Sequence, residues 1–207
     1  MIEKDDINTS LREKKKTETR NKIFEVAGRL FKEKGFEDTT IDEIVREAGI
    51  GKGTFFNYFP SKTALLLYFA KKKEDLTFSQ IKHEMTRSIP TKEKIKNTLV
   101  FVAKTNEKDK ELTKMFVFEY MRHYGMSSGQ DERSSHRLSN ILYGLIEEGV
   151  KKGDVNSEIE LKKAADIITG IYFHSLMEWL WAKNDYSFSD DISGKIDLVF
   201  DGIRGEG

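Results

Sequence analysis

Only two prolines interrupt 207 residues, and each stands directly before a residue that commonly opens a helix: Pro60 before Ser61 and Pro90 before Thr91. Proline removes a backbone donor and clashes inside a helix, so confining it to such places leaves long stretches free to be helical. The residues between carry a helical period. Ile23, Phe24, Ala27, Leu30 and Phe31 fall on one helix face, and the spacing predicts a helix over 17–34, closed by Gly35. No strand-like alternation and no internal repeat is present. The expected fold class is all-α.

Punctuation divides the rest. Thr40-Ile41-Asp42-Glu43 matches the capping box, with Ile41, Ile44, Val45 and Ala48 as the apolar face of a short helix. After Gly49-Ile50-Gly51 a second short helix is predicted over 52–58, and Ser61 caps a longer connecting helix over 61–88. Further helices are expected near 92–105, 109–124, 132–152, 158–183 and 189–203, with stops at Gly125, Gly129 and Gly153. Thr91 is expected as an N-cap, and Ser157-Glu158-Ile159-Glu160 reads as a second capping box. Residues 1–16 are polar and read as a frayed arm ending in Lys14-Lys15-Lys16.

Composition removes several classes. The 35 basic and 35 acidic residues cancel, which argues against a blanket polyanion binder but not against a local basic face. With no cysteine there is no disulfide scaffold, Cys-ligated zinc or thiol chemistry. The longest apolar run, from Leu65 to Ala70, falls far short of the ~20 residues of a membrane span. The charged start has no apolar signal region, so a soluble cytoplasmic protein is expected. His83, His123, His136 and His174 lack close metal-ligand spacing. Glu147-Glu148 and Asp190-Asp191 are adjacent in sequence, not stacked on one helix face. The run Gly49 to Thr54 lacks the Gly-Lys-Ser/Thr order of a phosphate loop. Neither an enzyme, a metal nor a cofactor is expected.

Residues 40–58 have the anatomy of a helix-turn-helix. Ala48 is small enough for a close crossing, Gly49 can adopt positive φ, and Ile50 plugs the space between the helices. The second helix of such a motif places its N-terminal residues in the major groove of DNA while the first crosses the backbone.

The pattern from Thr39-Thr40-Ile41 through Ala48-Gly49-Ile50-Gly51-Lys52-Gly53-Thr54-Phe55-Phe56-Asn57-Tyr58-Phe59-Pro60-Ser61-Lys62 to Leu65 resembles the TetR/AcrR family of bacterial transcriptional repressors. The resemblance covers about residues 20–69, including the preceding Leu30-Phe31 and Gly35-Phe36. Two positions depart from it. Gly51 stands where serine is common, a helix N-cap change costing only a few tenths of a kcal/mol. Phe55-Phe56-Asn57-Tyr58 replaces Leu-Tyr-x-His, which bears on base preference.

The resemblance implies a role for each matching residue. Thr40 offers its hydroxyl and helix N-terminus to a phosphate. Lys52, Gly53 and Thr54 face the groove, Phe56 lies against a base methyl or sugar, Tyr58 bonds a phosphate, and Lys62 pairs with the DNA backbone. Asn57 carries an amide able to read adenine bidentately. Phe55 and Phe59 read as core. Residues 1–62 hold 13 Lys+Arg against 12 Asp+Glu, so binding rests on placed contacts, to which Lys14–Lys16, Arg20 and Lys22 would add as an arm.

For the later helices the resemblance implies an effector cavity, mostly apolar with few polar groups. Its candidate lining is Phe101, Met115, Phe118, Met121, Tyr143, Phe173, His174 and Met177, suited to a small apolar or aromatic effector. It also implies a homodimer through the last two long helices, with Ala165, Ile168, Tyr172, Ile196, Val199 and Phe200 at the interface. The expected domains are 1–62 for binding double-stranded operator DNA and 89–207 for effector binding and dimerisation. The alternative is a helical ligand-binding or protein-docking module whose helix-turn-helix no longer binds DNA.

Overall fold

The computed structural model describes residues 3–124 and 137–202, and these form nine helices with no strand. The all-α expectation holds. Gly125, Gly129, His136 and the start of the helix expected over 132–152 lie outside the described residues, as do the side chains of His83 and His123. So does residue 203. The chain divides into two compact units, Met1–Ala70 and Lys71–Gly207.

The first unit holds α1 (Glu3–Asp38), α2 (Ile41–Ala48), α3 (Lys52–Tyr58) and the beginning of α4 (Lys62–Met85). α1 reaches back to Glu3 where a frayed arm was expected. Residues 3–16 contain no Gly or Pro, and Leu11 to Lys16 are all good helix formers, so no local signal stops the helix there. Lys16 lies 4.0 Å from Glu13 one turn earlier. Near its other end α1 is broken at Gly35, whose φ of 84° belongs to glycine, and the Thr39 hydroxyl donates to Gly35 O at 2.7 Å.

Ile23, Ala27, Leu30 and Phe31 of α1 are buried with Ile44, Val45 and Ala48 of α2, Phe55 and Phe59 around α3, and Leu65 and Leu66 of α4. Phe24 stacks on Phe69 at 3.7 Å between centroids. Gly28 makes room for that pair, since an added Cβ would lie 2.9 Å from Phe69 Cε1.

The second unit contains the rest of α4 with α5 (Thr91–Glu107), α6 (Lys110–Tyr124), α7 (Arg137–Lys152), α8 (Leu161–Trp181) and α9 (Phe188–Asp201). α5 packs against α9 and α7 against α8. Their shared core includes Ile95, Leu99, Leu142, Leu145, Ile168, Tyr172, Trp179, Phe188 and Ile192. Trp179 stacks on Phe188 with centroids 5.4 Å apart.

Two local expectations are corrected here. Thr91 is not an N-cap but the first residue of α5, and Asp154 caps it from a distant connection. Its carboxylate accepts from Thr91 N at 2.8 Å and from the Thr91 hydroxyl at 2.9 Å. The second capping box does not form, and α8 begins at Leu161 without a side-chain cap. Asn156 Oδ1 instead accepts Glu158 N–H at 2.9 Å, closing a turn where the box would start a helix.

Candidate nucleic-acid interface

α2 starts where the sequence says it should. Thr40 Oγ1 accepts from Glu43 N at 3.2 Å, and Glu43 Oε2 accepts both Thr40 N–H and the Thr40 hydroxyl at 2.9 Å. Lys34 completes the arrangement by bonding Glu43 Oε1. These contacts, the Lys34 ammonium first, hold the Glu43 carboxyl well below its ordinary range, at about 2. Arg29 ties α1 to α2 through Glu47.

The turn closes on Gly49, at φ 61° and ψ 40°, whose N–H bonds back to α2 while Ile50 N donates to Val45 O at 3.0 Å. α3 then begins after Gly51 without a side-chain cap. Phe55 is fully buried and Phe59 nearly so, which fixes how the helix rolls. With those two inward, Lys52, Gly53, Phe56 and Asn57 face solvent. Phe56 is 45% exposed, an unusual position for so large an apolar ring. An added Cβ on Gly53 would meet nothing within 4 Å, so the backbone there is open to a close approach.

The remaining candidates are less free. Lys52 is exposed but lies 2.8 Å from Asp42. Thr54 and Tyr58 are half-buried, and the Arg20 guanidinium lies over the Tyr58 ring at 6.0 Å. Arg20, grouped by the sequence with a mobile arm, is therefore fixed on α1 beside the reading helix. The Thr40 hydroxyl already spends its proton on Glu43.

Lys62 requires a correction. Its ammonium donates to the carbonyls of Phe36 at 2.6 Å, Glu37 at 3.1 Å and Thr39 at 2.8 Å. An ammonium has three N–H donors, and all three are used, so none is left to pair with a DNA phosphate. Lys62 ties the end of α1 to the start of α4.

In the second unit the residues expected to line a cavity differ in exposure. Phe118, Tyr143, Phe173 and His174 are exposed, while Phe101, Met115, Met121 and Met177 are half-buried. His174 opens onto a surface groove of about 390 Å³ between α8 and α9, lined by Ile171, Lys195, Leu198 and Val199 among others. Ala165, Ile168, Tyr172 and Ile196, expected to meet a second copy, are at most 3% exposed inside the unit's own core. They have no surface to offer. Phe200 packs partly against that core, Val199 is exposed, and Ile167 and Leu198 on the same two helices are more than half exposed. Helical period identified the apolar positions but could not tell which of two apolar faces turns outward.

A capped α2, a glycine turn and an α3 anchored by one face constitute a helix-turn-helix DNA-binding domain. Residues 23–69 match the tetR family of bacterial regulatory proteins, and this match supports a transcriptional regulator of that type. It is similar to the HTH-type transcriptional regulator PksA of Bacillus subtilis, 26% identical over 77% of this chain and 79% of that one. It is also similar to the fatty acid metabolism regulator protein of B. subtilis, 21% identical over 88% of this chain and 94% of that one. Among solved structures, Thermus thermophilus FadR, a TetR-family repressor in complex with lauroyl-CoA, shares the fold with a TM-score of 0.72. Identity there is 20%, covering 91% of this chain and 96% of that one. Among the described residues no helix is long and apolar enough to cross a membrane.

Proposed function

We propose that this protein is a homodimeric, ligand-responsive repressor acting in the cytoplasm on a near-palindromic operator. The observation that carries the reading is the exposed face of α3, where Lys52, Gly53, Phe56 and Asn57 stand together over the buried Phe55. A cation for phosphate, an open backbone, an apolar ring and a bidentate amide are the groups that major-groove readout uses. Thr54, Tyr58 and the N-terminus of α2 at Thr40 support them at the phosphates.

A second copy docks on the exposed faces of α8 and α9, through Ile167, Leu198 and Val199. Two-fold symmetry then presents two reading helices to two half-sites. A small apolar effector bound in the C-terminal unit favours a spacing of the two heads that the operator does not match, and the population leaves the DNA. The lauroyl-CoA complex of the similar T. thermophilus FadR supports a lipid-like effector.

The test is selection of bound duplexes from a random library at physiological salt, with the protein verified as folded. An enriched inverted repeat upholds the reading and gives the half-site spacing. No enrichment, with or without lauroyl-CoA, sinks it in favour of a docking module.

A further inference from the structure

The second unit withdraws several lysines from solvent, and most are matched. Lys92, Lys96, Lys94, Lys110 and Lys195 each lie within 3.5 Å of a carboxylate. Lys73 of α4 differs. It is half-buried, and among the described residues its ammonium has one hydrogen-bond partner, the Thr113 hydroxyl of α6 at 3.0 Å, with no carboxylate in ion-pair range. Asp109 is close enough to attract it, but Asp109 Oδ1 accepts Leu112 N–H at the start of α6, and Lys108 repels it. A cation removed from water without a matched anion is costly. Burial accordingly pulls the Lys73 pKa down to about 8.

The surroundings have a polar end and an apolar continuation. Thr113, 4% exposed, passes its own proton to Asn106 O at 3.2 Å, and Asn106 Nδ2 donates to the buried Tyr172 hydroxyl at 2.9 Å. One and two turns beyond Lys73 on the same face of α4 come Thr77 and Ile81. Thr77 has turned its hydroxyl onto Lys73 O at 2.7 Å, and Ile81 is fully buried. One turn beyond Thr113 on α6 stand Phe116 and Val117, buried and half-buried.

We propose that Lys73, with Thr113 beside it, is the anion-recognition point of the effector site, so that the effector is an amphipathic anion whose carboxylate or phosphate head pairs with the Lys73 ammonium. This rests on the reading of the C-terminal unit as effector-binding. An alkyl body then lies along the apolar side chains that follow on α4 and α6. A neutral molecule of the same shape leaves the lysine unmatched and binds more weakly.

The test is calorimetric titration of the full chain, wild type, Lys73→Gln and Lys73→Arg, with dodecanoate, lauroyl-CoA and dodecanol. The wild type should prefer the anions to dodecanol. Lys73→Gln should weaken anion binding roughly tenfold to a hundredfold, the worth of one hydrogen bond to a charged group, and leave dodecanol binding unchanged. Unchanged dodecanol binding also shows that the variant is folded. Lys73→Arg should retain the preference. A Lys73→Gln loss confined to dodecanoate identifies a carboxylate head, and one confined to lauroyl-CoA identifies phosphate.

The proposal is overturned if the wild type binds none of the three, if it binds dodecanol as tightly as the anions, or if Lys73→Gln weakens all three alike. An anion that binds through Lys73 yet leaves operator affinity unchanged upholds the contact and sinks the effector reading. The two failures are thus distinguishable.

Discussion

Lys62 holds Phe36 twice: its ammonium donates to Phe36 O at 2.6 Å and lies 4.3 Å from the centroid of the Phe36 ring. With the carbonyls of Glu37 and Thr39 also bound, the side chain closes the segment between α1 and α2 against the start of α4. Lys62→Met would remove the ammonium from three carbonyls, of which Phe36 O keeps the Thr39 N–H, and should cost about 1–3 kcal/mol, read from urea unfolding. The log–log salt dependence of operator binding should keep its slope, because no phosphate contact is lost. A slope shallower by about 0.9 would return Lys62 to the DNA backbone.

Asn57 is exposed on α3 and packs against nothing the fold depends on. Asn57→Ala should leave thermal stability and association state intact and reduce discrimination at one base pair by about 1–3 kcal/mol. Comparing selected duplexes for the two proteins measures it. Identical preferences would remove Asn57 from the reading set.

Gly49 sits at φ 61°, in the left-handed region. An added Cβ would meet Lys22 Nζ only at 3.6 Å, so the cost of Gly49→Ala is conformational and not steric. About 1–2 kcal/mol of stability should be lost, seen as a lower urea midpoint. Gly53→Ala, at ordinary φ with open space, should keep the stability and lose operator affinity.

Glu43 links the head to pH. Its carboxyl falls from an ordinary 4.5 to about 2 in the folded chain, through Lys34 first and then Thr40. A depressed folded pKa means that its contribution is complete above pH 4.5 and fades as pH falls from there through about 2. Glu43→Gln keeps a hydrogen-bonding group at this position but cannot titrate. Its acid limb of stability should be flatter in that window than the wild type's, and an identical limb would show that Glu43 does not couple to folding.

Leu198 is 58% exposed and Ile196, two residues away on α9, is 0% exposed. Leu198→Glu should dissociate the proposed dimer in light scattering while helicity is kept. Ile196→Ala should instead cost about 2–5 kcal/mol of stability through a cavity. Dimers that survive Leu198→Glu together with Ile167→Glu would place the second copy on another face.

Much of the head was legible in the chain itself. The Thr40–Glu43 box, the Gly49 turn and the buried Phe55 and Phe59 are set by residues within a few positions of one another, and local hydrogen bonds and steric rules act at that range. Helix existence was equally local. In two places where the sequence erred, a distant group had taken over: Asp154 caps α5, and the carbonyls of residues 36, 37 and 39 take the ammonium of Lys62. A backbone acceptor leaves no signature in a side-chain pattern.

The later helices show the same division. Apolar spacing placed Ala165, Ile168, Tyr172 and Ile196 on apolar helix faces that the resemblance assigned to a dimer interface, but whether such a face meets this chain's core or a second copy depends on what packs opposite. Lys73 was one basic residue among 35 until α6 placed Thr113, and no carboxylate within ion-pair range, beside it. The sequence by itself determined most of the helices, the cap of α2 and the helix-turn-helix motif, because those follow from neighbours along the chain. Which apolar faces stay exposed and which charges go unmatched was decided by tertiary packing, because burial is a property of several elements at once.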